Sequence, residues 1–364
     1  MKNSIGSNLI LTIFGESHGP YIGITMDGLP AGFPIDLSQI QKDLNQRKPK
    51  NALSTSRREP DDFQIISGYF NQHTTGTPLT ILIPNTSQNS KDYSQSQFIL
   101  RPGHADFTAY EKYHGYQDYR GGGHFSGRLT ACIVAAGSIC RQILAKRQII
   151  IGSHIEKIHS VFDDPFSQDP KELALQIRMV NEKDFAVLND EAGLRMQEEI
   201  QKARQLQDSV GGILSTAILN VPSGLGEPFF DSLESVLSHL LFSIPAVKGV
   251  SFGDGFALAD LYGSQANDSF CMQAGSIQTS TNHNGGINGG ISNGMPVLIH
   301  TIFKPTPSIY APQKSVNYHT REDIDFQIQG RHDPCIIHRA RVVVDSIVAF
   351  GILDMMMSYE ASQL

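Results

Sequence analysis

Cysteine is scarce: the 364-residue chain has four, Cys132, Cys140, Cys271 and Cys335. None forms a C-x-x-C pair or another metal-ligand spacing, which argues against a metal centre. All four are expected to be reduced, with Cys132 and Cys140 on a core-facing helix. Charge is also sparse, at 18% of residues against 40% hydrophobic. Such a chain can bury a substantial core, and no long segment is polar enough for disorder. An excess of positive charge is missing, since the formal net charge is -7. That argues against general nucleic-acid binding, which needs a basic surface, but not against a small anionic ligand met by a local cluster. Long apolar runs are lacking too. The most apolar stretch, residues 342–357, contains Asp345 and Asp354 and is short for a bilayer, so no membrane association is expected. Residues 1–11 lack the apolar length and cleavage site of a secretory signal, and a cytoplasmic location follows as an expectation. Internal repeats, coiled-coil heptads and a convincing linker are absent, so residues 1–364 are expected to form one domain.

What the chain does have is interleaved strand and helix patterns. Residues 8–26 alternate and predict two strands around a loop at 15–20. Residues 36–46 predict a helix with Asp36 as N-cap. Strands are expected within 63–84, a mobile surface loop at 85–97, and partial helix within 103–119. Leu129, Cys132, Ile133, Ala136, Ile139, Cys140, Ile143 and Leu144 recur at helical spacing, with small residues between them that suggest close packing. Further strands are expected at 149–161, 211–221, 250–258 and 296–303. Helices are expected at 191–207 and at 231–242, the latter capped by Asp231. Residues 275–294 predict a long loop, and 339–359 either strand then helix or helix throughout. The interleaving lacks the regular beat of βαβ units, which favours an α+β sandwich over a doubly wound parallel sheet.

Histidine, arginine and glycine concentrate in three segments. They are Phe14-Gly15-Glu16-Ser17-His18-Gly19, the stretch from Arg101-Pro102-Gly103-His104-Ala105-Asp106 to Arg120-Gly121-Gly122-Gly123-His124-Phe125-Ser126-Gly127-Arg128, and Gly330-Arg331-His332-Asp333-Pro334-Cys335 with His338-Arg339. Lys304-Pro305-Thr306-Pro307-Ser308 adds a cation and hydroxyls. Arginine presents a planar fork to carboxylate or phosphate. Glycine loops expose backbone N–H groups, and a helix beginning after Gly127 aims its positive end at an anion. Histidine can give or take a proton near neutral pH. Taken singly, most such residues are surface charges, turn formers or satisfied histidines. The Gly286/Gly289/Gly290 run does not fit the dinucleotide fingerprint, which counts against a Rossmann cofactor.

Taken together, these segments resemble the chorismate synthase family. GESHG, RREPD at 57–61, RPGHAD, YRGGG, the 245–256 stretch, HNGGINGGISNG, KPTPS and GRHDPC follow the family's order over nearly the whole chain. The resemblance implies a single large β-α-β sandwich domain, a homotetramer, and a carbon–oxygen lyase of the shikimate pathway. The implied reaction is anti-1,4-elimination of phosphate from 5-enolpyruvylshikimate 3-phosphate, giving chorismate. It uses reduced FMN without net redox change, with NADPH only an indirect source of electrons and an external flavin reductase as supplier. By the family pattern His104 protonates the departing phosphate, His18 serves the reduced flavin, and Asp333 relays the proton. Arg47, Arg101 and Arg128 are implied to bind substrate anions, and Arg331 to serve substrate or flavin. His124, Phe125, Ser126, Gly289, Lys304, Pro305, Thr306, Pro307 and Ser308 are implied to lie along the flavin. Two polyanions in one cavity demand such cations, because like charges at about 4 Å repel by roughly 4 kcal/mol at an effective dielectric near 20.

The chain departs from the family pattern at three places. His124-Phe125-Ser126-Gly127-Arg128-Leu129-Thr130 stands where R-S-S-A-R-E-T is frequent, Pro245 where asparagine is common, and Leu53 where arginine is frequent. Three rival readings are weaker. A hydrolase using Ser17 lacks the G-x-S-x-G elbow. A non-catalytic binding protein has no need of His18, His104 and Asp333 together. A metal enzyme lacks a tight ligand pair among its histidines.

Overall fold

The computed structural model describes residues 2–49, 59–86, 98–273, 275–328 and 332–362. It begins with β1 (Ser4–Ile5), β2 (Ile10–Gly15), β3 (Tyr21–Asp27) and helix α1 (Leu37–Arg47). Next come β4 (Gln64–Ser67), the small hairpin β5 (Tyr69–Phe70) and β6 (His73–Thr74), and β7 (Leu79–Pro84). Helices α2 (Asp106–Tyr113) and α3 (Thr130–Ala145) precede β8 (Ile150–Ile158) and β9 (Val161–Phe162). Helices α4 (Pro170–Glu182) and α5 (Asp190–Gln205) lead to β10 (Gly212–Leu219), α6 (Leu233–Phe242) and β11 (Val247–Phe252). A one-turn helix α7 (Gly263–Ala266) is followed by hairpins β12–β13 (Phe270–Gln273, Ser276–Thr279) and β14–β15 (Ile287–Asn288, Ile291–Ser292). The chain closes with β16 (Val297–Phe303), β17 (Gln313–Asn317), β18 (Glu322–Phe326) and the long helix α8 (Ile337–Ser362).

Two antiparallel five-stranded sheets result, in the orders β1-β2-β3-β7-β4 and β11-β16-β10-β8-β9. Period-two alternation explains their faces. Ile22, Ile24 and Met26 of β3 and Leu79, Ile81 and Ile83 of β7 are buried. On the other face Thr25 and Thr80 share a 3.0 Å hydrogen bond. In β10, Leu214 and Ile218 join the main core, whereas Ala217 and Leu219 join a second cluster with Leu173 and Ile177 of α4. The second sheet is therefore covered on both sides. Helices α1, α3, α6 and α8 pack together, α3 against β3 and β7 and α8 against β8 and β10. The architecture is the expected α+β sandwich, two sheets with helices between them.

The central crossing of α3 and α8 needs a small residue. A Cβ on Gly137 would lie 2.3 Å from Ser346 Cβ and 2.5 Å from the Ser346 carbonyl oxygen. Residues 127–145 and 337–362 are each long and apolar enough, by length and composition, to cross a membrane, contrary to expectation. Most of each is buried within the protein. Asp345 and Asp354 lie within α8 and both are hydrogen-bonded, although burial outweighs Arg341 and Ser153 and raises the Asp345 pKa. Asp345 accepts from Ser153 Oγ at 2.5 Å and Arg341 Nη1 at 3.1 Å, and Asp354 from the backbone N–H groups of Ser7, Asn8 and Leu9.

Several boundaries differ from the sequence expectation. Helix α8 is helical throughout, which settles one of two alternatives. Helix α6 is capped by Ser232, not Asp231. Helix α4 was not expected, although Asp169 capping and Pro170 in the first turn are ordinary start signals. The strand expected at 250–258 is Val247–Phe252, and the loop at 275–294 contains β13 and a tight hairpin.

Replacing Gly137 by alanine is predicted to cost about 1–3 kcal/mol of stability in urea unfolding, by forcing the two backbones apart. Gly263→Ala, whose new methyl would meet nothing within 4 Å, is predicted to change stability by no more than about 0.5 kcal/mol. Equal effects would show that the crossing is not the cause.

Candidate active site

A cleft of about 1000 Å³ opens where the first sheet, the ends of α1 and α6, and the starts of α3 and α8 converge. Eight lysines and arginines line it among the described residues: Lys2, Arg47, Lys48, Arg101, Arg128, Lys248, Lys304 and Arg339. Five carboxylates face them: Glu59, Asp61, Asp106, Asp118 and Asp333. The chain is acidic overall, so this excess of cations is local.

Its foundation is Asp61, which is fully buried. Arg47 donates from Nη2 to Asp61 Oδ2 at 3.2 Å, and Arg128 Nη1 donates to Asp61 Oδ1. Burial works to raise the Asp61 pKa, but the two guanidiniums outweigh it and hold the carboxyl below its usual range. Burial lowers the Arg47 pKa to about 10, partly opposed by Asp61, so it stays charged at neutral pH. Arg47 sits in the last turn of α1, where the helix dipole favours a cation. Its buried Nε has no hydrogen-bond partner among the described residues. Arg128 sits in the turn before α3, which Ser126 caps by accepting from the Arg128 N–H at 3.2 Å. Arg128 Nε donates to Asn85 Oδ1 at 2.9 Å and Nη2 to the Pro84 carbonyl at 3.2 Å.

Arg339, at the start of α8, joins this group. Its Nε donates to the Arg47 carbonyl at 2.9 Å, and its Nη1 donates to Asp333 Oδ2. On the opposite wall Arg101 grips Asp106 through Nε at 2.8 Å and Nη2 at 2.6 Å. Lys304 Nζ donates to the Gly103 carbonyl at 2.7 Å. His104 Nε2 and Ser308 Oγ share a hydrogen bond at 2.6 Å. Burial, then Arg101, His332 and Lys304, push the His104 pKa down to about 4 against the pull of Asp106. His104 is therefore neutral at pH 7. An anion arriving beside it raises that pKa again.

The glycine loop forms a further wall. Gly121, Gly122 and Gly123 all have positive φ, of 59°, 87° and 51°. At Gly121 no side chain fits, because a Cβ would stand 2.2 Å from His18 Cε1. His18 thus packs one layer behind the cleft, 5% exposed. Its neighbour Ser17 is fully buried, with Oγ 3.0 Å from His18 Nδ1 and 3.2 Å from the carbonyl oxygens of Arg120 and Gly121. A nucleophile so enclosed does not serve a hydrolase. His124 Nδ1 lies 2.8 Å from the Gly15 carbonyl. A carbonyl only accepts, so Nδ1 carries the proton and Nε2 is left for the cleft.

Of the expected site residues, Arg47, Arg101, His104, His124, Phe125, Ser126, Arg128, Lys304, Thr306, Pro307 and Asp333 line the cleft. Ser308 reaches it through His104. Pro305 turns away toward Gly211. Gly289 does not join the cleft: the Gly290 carbonyl accepts from Leu233 N–H at the start of α6, while the far end of that helix, at Phe242, lines it. Ten helical residues span about 15 Å. Arg331 lies outside the described residues. Asp61, Asn85 and Arg339 were given no site role from sequence; the charge balance of Arg47 and Arg128 was the signal for Asp61.

The residues at hand fit a flat polar cofactor. Gly127 leaves space for an added Cβ, with nothing within 4 Å, and at Gly122 the nearest atom is Ser126 Cβ at 3.9 Å. Phe125 beside them is 44% exposed, and Thr306 Oγ1 is buried without a hydrogen-bond partner among the described residues.

A sandwich that gathers cations, a neutral half-buried histidine and an open glycine wall around one cleft defines an enzyme for a small anionic substrate. The family model for chorismate synthase matches residues 9–357. Chorismate synthase of Thermococcus gammatolerans is 43% identical over 361 residues, covering 98% of each chain. That of Pyrococcus abyssi is 44% identical over 349 residues, covering 96% of each. A crystal structure of chorismate synthase superposes with a TM-score of 0.77 at 25% identity, covering 98% of this chain and 93% of that one. The chain belongs to the chorismate synthase family. Its activity is the lyase step of the shikimate pathway, in which 5-enolpyruvylshikimate 3-phosphate loses phosphate to give chorismate in the presence of a reduced flavin.

Removing the negative charge at Asp61 with Asp61→Asn is predicted to cost about 3–5 kcal/mol in denaturant unfolding, because two buried guanidiniums lose their counter-charge. Millimolar inorganic phosphate is predicted to restore part of the loss. Wild-type stability in the variant would show that the arginines do not depend on the carboxylate.

Proposed function

We propose that the cleft holds 5-enolpyruvylshikimate 3-phosphate and FMN together and that the flavin must be reduced for turnover. The observation that carries this reading is the excess of lysine and arginine in one cleft of an acidic chain. Arg47, Arg101 and Arg128 bind the substrate's carboxylates and phosphate, with Arg331 implied by resemblance alone. His104 protonates the departing phosphate. The incoming dianion first raises its pKa from the depressed value, so proton-donating capacity arises only when there is a phosphate to receive it. Ser308, hydrogen-bonded to Nε2, orients the ring.

A bound, reduced flavin would supply electron density to the substrate ring as phosphate leaves. His124, Phe125, Ser126, Lys304, Thr306 and Pro307 would hold it along the glycine wall. Asp333, its carboxylate oriented by Arg339, would work with the flavin as the relay that takes up the substrate's proton. His18, packed behind Gly121, would balance charge on the flavin through the loop.

The same reading covers the whole chain as one domain in the cytoplasm. It assigns NADPH only an indirect role, through an external flavin reductase. A homotetramer suits the surface: Phe229, Phe230, Phe256, Phe270, Met272 and Ile277 are all well exposed. Gly289, far from the cleft within one chain, would then meet flavin only from a neighbouring subunit.

The test is anaerobic turnover with chemically reduced FMN, following chorismate absorbance and released phosphate. Both products are expected together, and only with reduced flavin. His104→Ala is expected to cut turnover by about 10²–10⁴-fold with flavin affinity nearly unchanged. Full turnover in the variant would remove His104 from the mechanism.

A further inference from the structure

Asn85 follows directly on β7 and closes a short circuit of hydrogen bonds. Its backbone N–H donates to the Pro20 carbonyl at 3.0 Å. Its side-chain amide donates to the carbonyls of Glu16 at 3.0 Å and Gly19 at 2.8 Å. Its Oδ1 accepts from Arg128 Nε at 2.9 Å. The turn it holds carries Ser17 and His18, and the Ser17 N–H donates to the Gly123 carbonyl at 3.1 Å on the other side. The geometry points to Asn85 as a positioning residue that fixes Arg128 and the His18 turn relative to one another, so that the anion-binding guanidinium and the turn behind the glycine wall act as one unit.

Only a carboxamide of this length meets the requirement. Its two N–H groups satisfy two carbonyls while its oxygen satisfies a guanidinium. Aspartate has the same shape but no donor, and would set lone pairs against both carbonyls. It would also place a second negative charge on Arg128, beside Asp61. Glutamine carries the group one methylene too far. Serine and alanine are too short to make these three contacts.

The inference rests on the reading that Arg128 binds substrate anion, and the test separates the two. Full-length Asn85→Asp is compared with wild type in two ways. Calorimetry of the flavin-free protein gives affinity for 5-enolpyruvylshikimate 3-phosphate, and the absorbance difference spectrum of added FMN reports the His18 turn. Thermal unfolding checks the fold. The expected result is substrate binding weakened about tenfold or more, from a charge-assisted contact redirected onto the new carboxylate. A changed flavin spectrum is expected with it. A residue that merely tied the loop down would lower the melting temperature while leaving both readouts intact, and that outcome overturns the proposal. If Asn85→Asp does not fold, Asn85→Ala removes the same three contacts without adding charge and is judged by the same two readouts. Should wild type itself bind no substrate, the reading of Arg128 fails, and the flavin spectrum alone decides for Asn85.

Discussion

One buried carboxylate between two buried guanidiniums governs this protein. Arg47 and Arg128 are nearly inaccessible, and like charges at about 4 Å repel by roughly 4 kcal/mol at an effective dielectric near 20. Asp61 makes the pair tolerable and leaves one net positive charge for a ligand. It does so from a left-handed backbone, at φ 52°, a conformation that costs on the order of 1–3 kcal/mol and persists only where the surroundings enforce it. Four parts of the fold are tied to that point. Helix α1 ends there, the turn into α3 starts there, β7 delivers Pro84 and Asn85 to it, and α8 reaches it through Arg339. A second buried group reinforces the first: Arg341 of α8 donates to Asp345 and to Gln46, the residue beside Arg47, at 2.8 Å.

The charges of the cleft are balanced against one another. Its arginines are engaged by Asp61, Asp106 and Asp333, and its histidine is kept neutral by burial and by the same cations. On the proposed reading a polyanionic substrate would supply the missing negative charge, raise the His104 pKa and compete with protein carboxylates for guanidinium donors. On that reading most of the preparation for chemistry lies in how cations are held before ligand arrives, and the flavin would lie along the glycine wall.

The polar segments of the sequence held many of the residues that line this cleft. Arg47, Arg101, His104, Arg128 and Asp333 stand out because charged residues beside glycine and proline have no place in a core-facing pattern. The β2–β3 hairpin and α3 were legible from periodicity. What escaped was whatever depends on partners distant in sequence. Asp61 looks like one acid in a basic loop until α1 and the turn before α3 are brought to it. Asn85 opens a stretch rich in serine, asparagine and glutamine, so composition suggested a mobile loop, although its amide is fully engaged. Asp345 and Asp354 suggested a break in an apolar run, yet tertiary hydrogen bonds carry α8 straight through both. Gly289 was grouped with the flavin residues by resemblance, and the tertiary fold sets it at the far end of α6.

On the proposed reading Arg47 and Arg128 form a single anion-binding unit because they share Asp61. A double-mutant cycle tests this most directly, with Arg47→Ala, Arg128→Ala and the double variant compared in kcat/KM for 5-enolpyruvylshikimate 3-phosphate. Once either arginine is lost, Asp61 turns wholly onto the other and that arginine is already compromised. The double variant should therefore lose less than the sum of the single losses, by about 1–3 kcal/mol. Strict additivity would contradict the claim, showing that the two guanidiniums act independently and that Asp61 is only a structural neighbour.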